Sequence, residues 1–169
     1  LLFFKRNGGT GEDKRESNLL DGFAHFYDTY ECSDNKYIAV GSIEPQFYNE
    51  LLEKLQIDDE RFKDQHNKDL WPELKEKMTS IIKLKSRSEW VEIFSGSDAC
   101  VSPVLSMEEA QAHPHNLERE AFTSIDGFNQ PNASPRYSKT KPEIKYNAKK
   151  VGVDLDDICN EFNLSKDVF

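Results

Sequence analysis

Between Phe26 and Cys32 the chain alternates ring and polar side chains, FYDTYEC, which is the period-2 pattern of a half-buried strand. Ser33-Asp34-Asn35-Lys36 is a turn cluster, and YIAVGSI behind it is a short apolar run rich in β-branched residues. Together they predict a β-hairpin. Pro45 then opens a stretch in which Phe47, Leu51, Leu52 and Leu55 recur at helical spacing, a helix reaching to about Gln56. Proline favours the first helical position, so Glu44 falls at the N-cap. Ser, Thr, Asp and Asn are the preferred residues there, and Glu is not.

Ile57 to Lys68 reads as a polar connection. From about Pro72, a stripe of Trp71, Leu74, Met78, Ile81 and Ile82 at 3.6-residue spacing predicts a second, core-facing helix. Ser86-Arg87-Ser88-Glu89 is a capping box opening a helix that buries Trp90, Ile93 and Phe94 and stops at Gly96. ACVSPVL, Ala99 to Leu105, is β-prone but interrupted by Pro103, which restricts it to an edge strand or an extended segment. Ser106 to Glu109 is a second capping box for a short helix through Ala112. Asn116 to Arg119 make one more turn, and Ala121 to Ile125 with Asp126-Gly127 read as a strand and turn. Lys139 to Lys150 is polar and irregular. The pattern ends in an Asp154-capped helix expected to bury Leu155, Ile158, Cys159 and Phe162. At the other end, Leu1 to Phe4 look like the close of a helix, followed by an exposed glycine-rich, charged linker to Glu16. That linker follows no predicted strand and lacks a Gly-Lys-Ser/Thr, so it does not read as a phosphate loop.

In 169 residues there is room for one domain with a sizeable core, or a small domain plus pieces of another. Hydrophobic residues at 37% and charged residues at 31% describe a globular chain with a lean core. A formal net charge of −9 argues against nucleic acid as a partner. Cys32, Cys100 and Cys159 form no CxxC pair and leave an odd count, which fits a reducing compartment better than a disulfide framework. No run approaches transmembrane length, so no membrane partner is expected. LLFF is too short for a signal peptide, no initiator Met is present, and the C-terminus is not a Ser-Lys-Leu tail. The sequence starts in mid-pattern, as if cut from a longer chain.

DGFAHFYDTYECSDNKYIAVGSIEPQFY, followed by SDACVSPVLSMEEAQAHPHNLER and SPRYSKT, resembles the C-terminal half of the α-methylacyl-CoA racemases, a branch of the family III CoA-transferase superfamily. The likeness runs from about Asn18 to the terminal helix. It implies an α+β fold, with a small domain of short antiparallel sheet and several helices over residues 18–128. Residues 1–17 would end a large-domain helix and form a linker, and 129–169 would return as extended chain and a helix toward a large α/β domain. It further implies an interlocked homodimer with each active site between two subunits, and an acyl-CoA substrate. The location would be a peroxisome or mitochondrion in a eukaryote and the cytoplasm otherwise. CoA phosphates would then lie mostly against a part of the protein outside this acidic chain.

The resemblance gives Glu44 a catalytic role. In the matching IEPQF motif the glutamate pairs with a histidine of the large domain and helps set its protonation. Racemising a 2-methylacyl thioester means removing the α-proton, passing through an enolate and returning a proton to the opposite face, which requires an acid/base group on each face. A carboxylate beside a histidine fixes its tautomer and orientation. The histidine, and the aspartate acting on the other face, have no matching positions here, so the 169 residues alone are expected to be inactive. Without the resemblance, Glu44 at a helix N-terminus can equally be a favourable charge on the macrodipole. Tyr27 and Ile43 match residues near the substrate's methyl branch, or are ordinary hairpin core. Gly41 permits close approach of a ligand, or marks a bulge.

No cofactor or metal is implied. His113-Pro114-His115 with Glu118 lacks a third histidine at ligand spacing. His25 reads as an ordinary polar neighbour at the hairpin entrance, His66 as solvated, and Cys100 as a buried structural thiol. Two rival functions stay open: CoA transfer through an upstream aspartate, and a non-catalytic remnant acting in protein interaction.

Overall fold

In a computed structural model, residues 7–8 and 11–165 are described. The chain divides into two units, one ending at Leu105 and the other starting at Ser106. It is α+β, with short antiparallel sheets and several helices.

In the first unit the alternating segment forms β1 (Tyr27–Glu31) and the apolar run forms β2 (Tyr37–Gly41), paired antiparallel from Tyr27↔Gly41 to Glu31↔Tyr37. The connection closes with Cys32 N–H donating to the Lys36 carbonyl at 2.7 Å, and Asn35 takes φ 58°, a left-handed position that Asn tolerates well. Alternation sends Phe26, Tyr30 and Cys32 inward from one strand and Ile38 and Val40 from the other. Asp28 shares β1's inward parity and is ion-paired with Lys75 at 2.5 Å. β3 (Val101–Val104) pairs with the far side of β2, placing Pro103 opposite Ile38 on a sheet edge where its missing N–H costs no ladder bond.

Three helices cover this sheet. α1 (Pro45–Lys54) buries Tyr48 and Leu51, and α2 (Trp71–Ile82) buries Trp71, Leu74, Met78 and Ile82, with Ile81 half-buried. α3 (Arg87–Phe94) starts at the expected capping box: Glu89 N–H donates to Ser86 Oγ at 3.3 Å, and Ser86 N–H to Glu89 Oε2 at 2.8 Å. It buries Trp90 and Phe94, leaves Ile93 half-buried, and gives way to Gly96 at φ +70°. The hairpin and the three helices share one apolar core. The supposed polar connection from Ile57 to Lys68 needs correction. It contains a 3-10 turn, Glu60–Lys63, whose Phe62 is fully buried in that core, and a buried Gln65.

The second unit opens with α4 (Met107–Ala112), capped reciprocally by Ser106 and Glu109, and α5 (Pro114–Glu118). β4 (Phe122–Ile125) and β5 (Phe128–Pro131) make a second hairpin around Asp126 and Gly127, at φ +52° and +81°. Two consecutive positive φ values are the type I′ geometry that suits a two-residue hairpin loop. α6 (Leu155–Phe162) has Asp154 at its N-cap position, but the carboxylate turns to Lys149 at 2.5 Å and makes no capping bond. Of the four residues expected to be buried there, only Cys159 is. Leu155 is half-buried, while Ile158 and Phe162 are exposed. The expected helix over Leu1 to Phe4 lies outside the described residues.

Candidate functional site

The strand-to-helix junction from Gly41 to Pro45 is fixed from three directions. Gly41 N–H donates to the Cys100 carbonyl at 3.0 Å, and Ser42 N–H to the Phe26 carbonyl at 3.0 Å. Ser42 Oγ donates to the Ala99 carbonyl at 2.5 Å from a fully buried position. Gln65 Nε2 reaches both the Ser42 and Ile43 carbonyls, at 3.1 and 3.0 Å. Buried polar backbone at a sheet exit needs such partners, and here the side chains of Ser42 and Gln65 pin the junction.

Glu44 follows at φ −74° and ψ 143°, the extended geometry of an N-cap, with Pro45 behind it. Its carbonyl accepts from Tyr48 N–H at 3.0 Å and starts α1, but its side chain makes no capping bond. The carboxylate is exposed and has no hydrogen bond or ion pair among the described residues. It is an anion held on a fixed stem at the positive end of a helix.

Tyr27, Gly41 and Ile43 gather at the same end of the hairpin and are all half-buried. Register sets Tyr27 directly opposite Gly41. A Cβ on Gly41 would lie 3.8 Å from the Tyr27 ring and 3.9 Å from the Cys100 carbonyl oxygen, ordinary contact distances. The glycine is therefore not demanded by its own chain's packing.

Cys100 corrects the expectation of a buried thiol: it is exposed, at φ +54°. Desolvation first, then the negative charges of Glu44, Asp98 and Glu50, push its pKa up. The same carboxylates make this edge anionic, and Glu50 also accepts from Asp98 N–H at 3.1 Å. A thiol kept protonated by acidic neighbours is a poor nucleophile, whereas an anionic rim suits an incoming cation.

His25 also departs from expectation. It is fully buried, edge-on to Phe26, Tyr48 and Phe62. Tyr48 Oη donates to the Phe62 carbonyl at 3.0 Å, so at 2.7 Å from His25 Nε2 it accepts, which places the ring proton on Nε2. Nδ1 is left without a partner. Burial, and secondarily the nearby His66, lower the His25 pKa to about 4, so the ring is neutral at physiological pH. Through Tyr48 it braces the first turn of α1, one turn beyond Glu44. The signal in the sequence was a histidine embedded in the apolar run FAHFY. His66 is exposed as expected, its ring edge-on to Phe26 with the ring centroids 5.8 Å apart.

His113 is half-buried at the α4–α5 junction and His115 is exposed. Among the described residues, no group of three or more His, Cys, Asp or Glu side chains is placed to hold a metal ion. No described helix is long and apolar enough to cross a membrane.

Comparison with known proteins places this junction in a family. Alpha-methylacyl-CoA racemase of Mus musculus is 40% identical over 162 residues, covering 94% of this chain and 42% of that protein. The Homo sapiens protein of the same name is 40% identical over 159 residues, covering 92% and 41%. The chain thus spans about two fifths of the length of these relatives. Among solved structures, a point mutant of Rv3272 from Mycobacterium tuberculosis aligns over 83% of this chain and 40% of its own, with a TM-score of 0.63 at 16% identity. The orthorhombic form of Rv3272 aligns over 71% and 34%, with a TM-score of 0.60 at the same 16% identity. At that identity the likeness supports the fold alone. Residues 3–155 match the CoA-transferase family III, and the chain belongs to that family.

Proposed function

We infer that this chain is the small-domain portion of a 2-methylacyl-CoA racemase, an isomerase that epimerises the α-carbon of branched acyl-CoA thioesters through an enolate. Residues 18–128 would be the small domain and 129–169 the return toward a large α/β domain. The observation that carries this reading is the Glu44 carboxylate: exposed, unpaired among the described residues, and fixed by a junction that Ser42 and Gln65 pin from below. In the complete protein it accepts a hydrogen bond from a histidine supplied by another segment. It holds the ring in the tautomer that presents a bare nitrogen to the α-proton, and stabilises the imidazolium formed once the proton is taken. The anionic edge of Glu44, Glu50 and Asp98 favours that imidazolium further. Tyr27, Ile43 and Gly41 line the space for the acyl branch. Homology to two proteins named racemases supports this reading over CoA transfer. An interlocked homodimer, and a peroxisomal or mitochondrial location in a eukaryote, belong to the same proposal.

The test is α-proton exchange in deuterium oxide with a 2-methylacyl-CoA, comparing the complete protein with its Glu44→Gln variant. An orienting carboxylate predicts a folded variant slower by roughly 10²–10⁴-fold. Parental exchange by a folded Glu44→Gln protein would remove Glu44 from the mechanism.

A further inference from the structure

The turn behind the 3-10 segment carries a buried amide that reaches the Glu44 junction. Asn67 N–H donates to the Asp64 carbonyl at 3.1 Å, and the Asn67 side-chain amide to Asp64 Oδ2 at 3.0 Å, closing a β-turn in which Gln65 is the second residue. The Gln65 carbonyl accepts from Trp71 Nε1 at 2.8 Å, and Trp71 is itself buried at the start of α2. The turn is thus closed on itself and anchored to a helix, and the Gln65 side chain, 7% exposed, runs inward from it. Its two partners, the Ser42 and Ile43 carbonyls at 3.1 and 3.0 Å, can only accept. The amide nitrogen therefore faces them, with one N–H for each.

Two consecutive carbonyls held in this way fix two consecutive peptide planes, Ser42–Ile43 and Ile43–Glu44. Ile43 N–H also donates to the Gly41 carbonyl at 3.0 Å, closing a three-residue turn. The backbone of Ile43 is therefore bonded at both its N–H and its C=O before Glu44 begins. Behind Glu44 stands the plane that Gln65 holds; ahead of it, the Glu44 carbonyl accepts from Tyr48 N–H at 3.0 Å. The direction in which the Glu44 side chain leaves the backbone follows from those two planes. Ser42 Oγ, by contrast, bonds the Ala99 carbonyl and ties the junction to the approach to β3. A reacting or orienting group displaced by about 1 Å can forfeit roughly 10²-fold in rate, so an amide that sets this direction bears on turnover without meeting the substrate.

We propose that Gln65 is a positioning residue, which aims the Glu44 carboxylate at its histidine by holding the peptide in front of it. The inference rests on the racemase reading of Glu44 and gives the 57–68 segment a task in that reaction.

The test is α-proton exchange into a 2-methylacyl-CoA by the complete protein, with Gln65→Met and Glu44→Gln made singly and together. Methionine keeps the length of the side chain and removes both donors. Gln65→Met should slow exchange roughly 10- to 100-fold in the parent. It should add less than about twofold once Glu44 is already glutamine, because residues that act through one another are not additive. A merely structural support would slow both backgrounds alike. The pH profile is the second readout. A carboxylate beside a histidine raises the ring's pKa, so turning it away should move the acid limb of kcat/KM down by about 1 pH unit for one of the two substrate epimers. Lost fold support would lower the profile without moving it. Should Gln65→Met not fold, Gln65→Asn, which keeps the amide but falls one methylene short, is measured in its place with the same expectation. Parental exchange by the folded Gln65 variant beside a slow Glu44→Gln would overturn the inference and leave Glu44 in its role. So would equal slowing in both backgrounds with an unmoved acid limb. Parental exchange by Glu44→Gln would remove the reading and the inference together.

Discussion

Glu44 and Gly41 sit three residues apart at one junction, and their substitutions separate folding from function in opposite ways. Glu44→Gln removes a charge from a helix N-terminus, a loss of up to about 1 kcal/mol of stability. An orienting role would be worth about 2.7–5.4 kcal/mol of transition-state stabilisation, at about 1.36 kcal/mol per factor of ten. The two effects do not overlap, so unfolding and exchange measured on the same preparation discriminate between them. Gly41 has no positive φ, and a methyl there would meet Tyr27 and the Cys100 carbonyl at ordinary distance. Gly41→Ala should therefore leave the unfolding midpoint unchanged or raise stability by about 0.4–1 kcal/mol, through a less flexible unfolded chain. If the acyl branch rests against this strand, the same variant of the complete protein should exchange its substrate more slowly. A drop in stability would instead show a clash within the fold. The sequence marked this junction because an unusual residue stood at a cap. It misjudged Cys100 because an apolar neighbourhood in the sequence says nothing of a left-handed backbone that turns a side chain outward.

Elements were legible where periodicity was long and bounded by turn or cap chemistry. The first hairpin, α1 to α3, both capping boxes and the Pro103 edge strand all follow from local pattern. Phe62 and His25 did not. A single aromatic in a polar stretch, and a histidine before a strand, are buried by what packs over them, which no window of sequence contains. α6 failed differently: its spacing identified an apolar face, but spacing cannot say what covers that face, and Ile158 and Phe162 remain exposed. Two predictions belong at this scale. Trp90 is 2% exposed and donates from Nε1 to the Ile82 carbonyl at 2.8 Å, tying α3 to the end of α2. Trp90→Ala should cost roughly 3–5 kcal/mol, read as a fall in the denaturation midpoint; an unchanged midpoint would remove Trp90 from the core. His25 should give the fold a pH dependence. The unfolded chain takes up its proton near 6.5, the folded chain only near 4. Between those values the unfolded state binds more protons, so His25's contribution is complete above about 6.5, declines on acidification, and is spent below about 4. The full span is on the order of 3 kcal/mol. His25→Gln, which keeps a donor toward Tyr48, should flatten that slope; a parental slope in the variant would assign it to another group.

For the molecule as a whole, the α+β class came from the family resemblance, and the strands and helices read along the chain agree with it. On the proposed racemase reading a proton-transfer partner has to come from another segment, because racemisation needs a proton donor and acceptor on opposite faces of the enolate. This chain presents one exposed carboxylate at the junction, with no histidine bonded to it among the described residues, and a neighbouring His25 whose ring is sealed in the core. Each absent acid/base group forfeits roughly 10²–10⁴-fold in rate. On that reading the isolated 169 residues should take up no deuterium into a 2-methylacyl-CoA above the protein-free rate. Protein-dependent deuterium uptake would mean that both proton-transfer groups lie within this chain. Glu44 would then have to be a base in its own right rather than the carboxylate that steadies one, and its glutamine variant would abolish that uptake instead of slowing the complete enzyme.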